Sequence, residues 1–279
     1  MVRVGEYNTL KAIRHVDFGF YLDDGGEGIL LPKRFSPMDL EIGHEIKVFI
    51  YHDGEGRIIA TTEIPKGIVG DIVGLKCVSV ADMGAFLDLG LMKDLFIPKS
   101  QQLTRMEVGE KYVVKIYLDE KTNRIVATQK FERALSNKEL TVKELEEVNL
   151  VVYRETEIGY VMIINNLHTG ILHTNEIFRD IHIGDQFRGF IKKIILPDNK
   201  IDVVLGKPGY QKVEDEVTKI LRLLEENKGF LPYHDKSDPE EIYDFFGMSK
   251  KTFKMAIGKL YKQRKINFTK EGIALISEE

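Results

Sequence analysis

The sequence predicts a mainly β chain with some α: three small five-stranded barrels in tandem, followed by a C-terminal winged helix-turn-helix. Three observations predict it. An ordered set of short motifs recurs along the chain. Each copy is built of apolar runs separated by turn signals. After Pro208-Gly209 the hydrophobic period lengthens from two to about 3.6.

The repeat is clearest in the first two copies. Phe18-Gly19-Phe20-Tyr21-Leu22-Asp23 matches Met83-Gly84-Ala85-Phe86-Leu87-Asp88, and Ile29-Leu30-Leu31-Pro32-Lys33 matches Leu95-Phe96-Ile97-Pro98-Lys99. Glu41-Ile42-Gly43 then matches Glu107-Val108-Gly109, and Arg57-Ile58-Ile59-Ala60-Thr61 matches Arg124-Ile125-Val126-Ala127-Thr128. Gly19 to Gly43 is 24 residues and Gly84 to Gly109 is 25, so the order and the spacing agree together. A worn third copy carries Ile158-Gly159-Tyr160-Val161, Gly170-Ile171-Leu172-His173, His182-Ile183-Gly184-Asp185 and Lys200-Ile201-Asp202-Val203-Val204.

Each copy reads as β. In the second, residues 68–80, 84–89, 95–97, 112–118 and 124–128 are rich in Val, Ile, Leu and Phe. Turns such as Asp53-Gly54-Glu55-Gly56 and Asp119-Glu120-Lys121-Thr122-Asn123 separate such runs. Five short strands in so short a length suit a closed barrel, which leaves no unpaired edge. Between copies two and three, residues 131–148 have the apolar spacing of a short linking helix, with Ser136 or Thr141 as its cap. The expected division is therefore 1–66, 67–134, a linking helix at 135–147, 148–208 and 209–279.

In the last segment, Val213, Val217, Ile220, Leu221 and Leu224 form the apolar face of a helix that stops near Gly229. Ser237-Asp238-Pro239 opens a second helix, which ends at Gly247. Residues 250–265 form a third, with Phe253, Ala256, Ile257, Leu260 and Tyr261 as its buried stripe. Two short strands, 265–269 and 272–276, complete the winged helix, and the third helix takes the recognition position. Residues 249–267 carry Lys250, Lys251, Lys254, Lys259, Lys262, Arg264 and Lys265 and no acid, while 211–248 carry ten acids and five bases. A block of +7 in a chain of −4 concentrates a polyanion locally.

Composition excludes several classes. One cysteine, Cys77, makes neither an internal disulfide nor a CxxC zinc site. The start shows no signal peptide and no stretch reads as a membrane helix, so a cytoplasmic protein with no membrane partner is expected. No phosphate loop or HExxH helix is present, and Gly25-Gly26-Glu27-Gly28 reads as a hairpin turn. The seven histidines, His15, His44, His52, His168, His173, His182 and His234, are scattered, and no metal, cofactor or catalytic residue is expected.

The Phe18-Gly19-Phe20-Tyr21-Leu22-Asp23 set, Gly170-Ile171-Leu172-His173 and the Val108-Gly109-Glu110 turn resemble the S1 RNA-binding domain, a five-stranded OB barrel. With the winged helix and the Pro32-Lys33 and Pro98-Lys99 marks, the whole chain resembles the bacterial virulence factor B family. The resemblance implies three tandem S1-like OB-fold barrels in a cytoplasmic protein that binds single-stranded RNA and influences gene expression. RNA-processing or translation machinery are its expected further partners. It also implies a platform at the residue before the strand-two glycine and two after it, helped by the end of strand three. Here those positions are Phe18 and Tyr21 with Lys33 and Arg57, then Phe86 with Met83, Lys99 and Arg124. In copy three the candidates are Tyr160, His173 and Lys200, Ile158 and Val161 having replaced the rings.

Two other readings stay open on the residues alone. The winged helix can read duplex DNA, and the barrels, which carry 27 bases against 31 acids over residues 1–210, can serve as protein–protein adaptors.

Overall fold

In the computed structural model the described residues are 2–177, 180–206 and 211–276, the side chains of 211–215 excepted. The Pro208-Gly209 boundary and the Val213 side chain lie outside the described residues. The chain divides into two compact units, Met1–Leu205 and Gly206–Glu279.

The first unit contains three closed barrels. The first is built of β1 (Tyr7–Val16), β2 (Gly19–Leu22), β3 (Ile29–Pro32), β4 (Glu45–His52) and β5 (Ile58–Thr61). The second is built of β6 (Ile72–Ala81), β7 (Gly84–Leu87), β8 (Leu95–Pro98), β9 (Lys111–Asp119) and β10 (Arg124–Thr128). The third is built of β11 (Glu147–Thr156), β12 (Gly159–Ile164), β13 (His168–His173), β14 (Gln186–Ile195) and β15 (Lys200–Val204). All three share one strand order, first-second-third-fifth-fourth, with a parallel pairing between the third and fifth strands.

Closure depends on a bend in each first strand. In β1 the residues before the bend pair with β4 and those after it with β2, with a shift of register between Ala12 and Arg14. The same irregularity falls between Cys77 and Ser79 and between Val152 and Arg154. A bulge adds twist, so one strand can serve both walls of a small barrel. Inward residues such as Leu22, Leu31, Val48 and Ile50 fill the first barrel, and Leu75, Leu87, Ile97 and Ile116 the second.

The barrels pack on one another within this unit. Phe49, Tyr51 and Ile59 of the first meet Ile68, Leu91 and Ile125. Ile72, Val113 and Phe131 meet Val151 and Ile163 of the third. Asn166 fastens the second joint, accepting from the Ile72 amide at 2.9 Å and donating to Asp71 at 2.9 Å.

The expected linking helix over 131–148 does not form. Glu132–Ala134 makes a single 3-10 turn, and 135–146 runs as turns and irregular backbone. The segment's polar groups bind the third barrel instead of capping a helix. Asn137 donates to the Thr169 carbonyl at 2.8 Å and accepts from its amide at 2.9 Å. Buried His168 is gripped by the Ser136 carbonyl at 2.6 Å and the Thr141 hydroxyl at 2.8 Å. Val142 is buried in the third core, and Leu145 takes φ 67°, which no helix accommodates. Tertiary contacts here override a weak helical spacing.

The second unit contains α1 (Gln211–Glu226), β16 (Phe230–Leu231), α2 (Pro239–Phe246), α3 (Lys250–Lys262), β17 (Ile266–Phe268) and β18 (Ile273–Leu275). Ile220, Leu224, Phe246, Phe253, Ile257 and Leu260 form its core. Asp238 caps α2 by accepting from the Glu240 amide at 2.8 Å, and Gly247 ends that helix at φ 64°. Ser249 caps α3, accepting from the Thr252 amide at 3.2 Å. The hairpin gains a strand the sequence did not announce: β16 pairs with β18 and makes the sheet three-stranded. Tyr261, expected in the buried stripe, is 52% exposed and lies on Phe268 with ring centroids 5.0 Å apart. Among the described residues no helix is long and apolar enough to cross a membrane.

Candidate nucleic-acid interface

Strand alternation sorts each barrel's side chains into a core set and an outer set. In barrel one the pair Phe20 and Leu31 faces the core side, so the next pair, Tyr21 and Leu30, faces out. Phe18 precedes β2 and is 57% exposed, with its ring edge-on to Tyr21 at 6.5 Å. Arg14, paired with Tyr21 across β1, holds its guanidinium 4.1 Å from the Tyr21 centroid. Exposed Lys33 stands at the same end, its amide donating to the Phe18 carbonyl at 2.8 Å. The intervening Gly19 is required by close approach, because a Cβ there would lie 2.1 Å from the Leu31 carbonyl oxygen. Two rings and a guanidinium thus lie together, with exposed Lys33 tied to Phe18 through its backbone.

Barrel two repeats the arrangement with different residues. Lys99 donates its amide to the Met83 carbonyl at 2.9 Å, as Lys33 does to Phe18. Phe86 pairs with Phe96 on the outer face, ring centroids 5.2 Å apart, and Met83 is 78% exposed in the place of Phe18. Arg124 is exposed at the start of β10.

Barrel three keeps the frame but not the platform. Tyr160 pairs with buried Leu172 and packs on the core, so its ring faces the wrong way for a base. A displacement of one residue along a strand reverses the face. The outer pair is Val161 and Ile171. His173 is where Pro32 and Pro98 stand, opposite the strand-two glycine, and its Nε2 lies 3.0 Å from Asp202.

Two candidate phosphate contacts are engaged locally. Arg57 grips Asp53 in its own turn, with Nε at 2.9 Å and Nη2 at 2.7 Å, and reaches Glu55 at 2.8 Å. Lys200 lies 3.3 Å from Asp198.

On the winged helix, Lys251, Met255, Gly258 and Lys262 fall on one outer stripe of α3, with exposed Lys254 beside it, 4.0 Å from Asp235. Lys250 and Lys259 are half-buried, and Arg264 is exposed just beyond the helix. A Cβ on Gly258 would meet open space, so packing does not explain a glycine in mid-helix.

Arg14, Phe96, Arg34 and Lys93 are the residues sequence reading missed. The first two were within reach of it, because each stands directly across a strand pair from a named aromatic. Arg34 lies in the 3-10 turn after β3 and Lys93 in the loop before β8, and only the packing of barrels one and two brings them to one cleft.

Comparison with known proteins places these features. Residues 218–275 match the model of the CvfB-like winged helix domain, and 4–63 and 69–130 match the S1 domain. The third barrel shares the strand order of the two that match. The chain is 30% identical to the Bacillus subtilis (strain 168) protein called "Uncharacterized protein YitL", over 95% of this chain and 91% of that one. It is 28% identical to conserved virulence factor B of Staphylococcus aureus (strain USA300), over 85% of this chain and 81% of that one. A solved structure from Streptococcus pneumoniae TIGR4, described as a multidomain protein with nucleic acid binding domains, is 23% identical with a TM-score of 0.44, covering 98% of each chain. The two matched domain types support a nucleic-acid-binding role.

Proposed function

Because the chain belongs to the conserved virulence factor B family, we propose that it is a non-catalytic, cytoplasmic protein that holds single-stranded RNA and regulates gene expression post-transcriptionally. One observation carries the reading: in barrel one Phe18 is 57% exposed and edge-on to the half-buried Tyr21 ring, which lies against the Arg14 guanidinium, with exposed Lys33 beside Phe18. OB barrels hold single strands by stacking bases on such rings while cations track the phosphates. Barrel two offers Phe86, Phe96, Lys99 and Arg124 in the same frame, and the outer stripe of α3 adds Lys251, Lys254 and Lys262. Modest sites joined on one chain raise affinity together by effective concentration. RNA-processing or translation machinery are partners consistent with a protein that holds a transcript without cleaving it.

The test is an anisotropy titration of the full chain at two salt concentrations with single-stranded RNA, single-stranded DNA and duplex DNA. Salt-sensitive binding that prefers single-stranded RNA and weakens in a Phe18→Ala, Tyr21→Ala variant is expected. Preference for duplex DNA, lost on changing the α3 lysines, would transfer the role to the winged helix. No binding to any of the three at low salt would leave a protein–protein adaptor.

A further inference from the structure

Barrels one and two enclose a cleft of about 810 Å³ that runs from the outer face of barrel two onto barrel one. Its volume lies in the range of small-ligand sites. One wall is the outer face of barrel two, with Phe86 and Phe96 side by side and Met83 at the mouth. The other wall is the hairpin between β4 and β5, including His52 and Asp53.

Three cations line the same space: Arg34, Lys93 and Arg124. The Lys93 ammonium crosses between barrels to donate to the Asp53 carbonyl at 2.6 Å. Burial, then the Arg124 charge, pushes the Lys93 ammonium below its ordinary value, and an anion beside it would offset the repulsion from Arg124. Two carboxylates, Asp53 and Asp94, also line the space. Asp53 is occupied by Arg57 and by the amides of Glu55 and Arg57. Burial, then the Asp88 charge, pushes the Asp94 carboxyl up from its ordinary value. His52 adds an imidazole whose Nδ1 is closed off and has no hydrogen-bond partner, while burial and the Lys93 and Arg124 charges disfavour its protonation.

An aromatic wall and three cations lining the same cleft are complementary to one class of ligand. We infer that the cleft between barrels one and two takes a single nucleotide unit, its base against Phe86 and Phe96 and its phosphate among Arg34, Lys93 and Arg124. The barrel-two face thereby acts jointly with barrel one, and the β4–β5 hairpin becomes part of a ligand site. The inference rests on reading the outer face of barrel two as base-binding. A free mononucleotide and one residue of an RNA strand offer the same chemistry.

The experiment separates these sources. The full chain is titrated calorimetrically with each 5′-ribonucleoside monophosphate, and separately crosslinked to a single-stranded RNA containing 4-thiouridine, with adducts mapped by mass spectrometry. Arg124→Ala, exposed at the start of β10, is the test variant, and Lys130→Ala, exposed outside the cleft, is the control. Circular dichroism verifies that both remain folded. The expected result is saturable mononucleotide binding, crosslinks at Met83, Phe86 or Phe96, or both, each reduced at least tenfold by R124A and unchanged by K130A. Mononucleotide binding without any binding of the strand supports the cleft and overturns the RNA-holding reading. Strand binding that depends on Phe18 and Tyr21, with no mononucleotide binding and no crosslink in the cleft, overturns the cleft and leaves that reading standing.

Discussion

Lys111 of barrel two donates to Asp185 of barrel three across 2.7 Å, although 74 residues separate them in sequence. Beside this pair Gly74 and Gly184 approach so closely that a Cβ on Gly74 would lie 2.0 Å from the Gly184 carbonyl oxygen. Backbone contact at that distance leaves no room for a side chain. Gly74→Ala is expected to destabilise the first unit by about 1–3 kcal/mol through overpacking. Lys111→Ala removes a partly exposed ion pair and costs less, about 0–1 kcal/mol. Chemical denaturation of the two variants checks the ranking.

The same pair makes the joint acid-sensitive. Burial pushes Asp185 up, but the Lys111 hydrogen bond, the His182 amide and the nearby positive charge outweigh it and hold the carboxyl below its ordinary value. A carboxylate depressed in the folded state contributes stability above its unfolded pKa, near 3.9, and loses it as pH falls through the folded value. Asp185→Asn is expected to flatten the acid limb of a stability-versus-pH curve below about pH 4. An unchanged acid limb would mean the joint does not depend on this carboxylate.

Alkali acts elsewhere. The Tyr153 hydroxyl donates to Glu132 at 2.7 Å, and burial followed by that acceptor pushes its pKa up to about 12. The unfolded phenol ionises near 10, so the neutral form is favoured by folding. Its contribution is complete below about pH 10 and disappears as pH rises to about 12. Tyr153→Phe should remove that part of the alkaline stability loss, as followed by circular dichroism across this window.

Exposure separates binding from stability in barrel one. Phe18 is 57% exposed, whereas Leu31 is fully buried. Phe18→Ala is expected to leave stability within about 0.5 kcal/mol and to weaken single-stranded RNA binding by about 1–3 kcal/mol. Leu31→Ala should instead cost about 2–5 kcal/mol of folding free energy. Thermal melts and binding titrations on the same samples give both values.

Gly258 invites the opposite combination. Alanine there meets open space, so Gly258→Ala should stabilise the second unit by about 1 kcal/mol. If a nucleic-acid backbone approaches this stripe of α3, the added methyl weakens binding while stability rises. Lys251, Lys254 and Lys262 give an independent readout. Each alanine substitution that frees one phosphate should reduce the logarithmic salt slope for a single strand by about 0.7. A slope unchanged by all three would place the polyanion elsewhere.

The sequence by itself determined the local design. Ordered repeats at matching spacing disclosed three copies of one strand pattern, and the change of period disclosed the winged helix with its capped α2 and α3. These features are legible because turn residues, caps and strand alternation act within a few residues of one another. The Phe18–Tyr21 platform was legible only through the resemblance to the S1 domain, because strand alternation puts residues three apart on opposite faces and Phe18 lies before β2.

Tertiary structure decided what depends on residues far apart. The segment expected to be a linking helix is irregular, because Asn137 and Thr141 find partners on barrel three that helical spacing does not reveal. Tyr160 turns inward, because its cross-strand partner Leu172 belongs to the core. Arg57 is committed to Asp53 and Glu55 by its own hairpin. Above all, the cleft lined by Arg34, Lys93, Arg124 and Phe96 exists only once two barrels pack, since its walls come from loops and strands that no local pattern connects. Short-range periodicity encodes each barrel, but shape and charge complementarity between barrels is expressed only after they have folded.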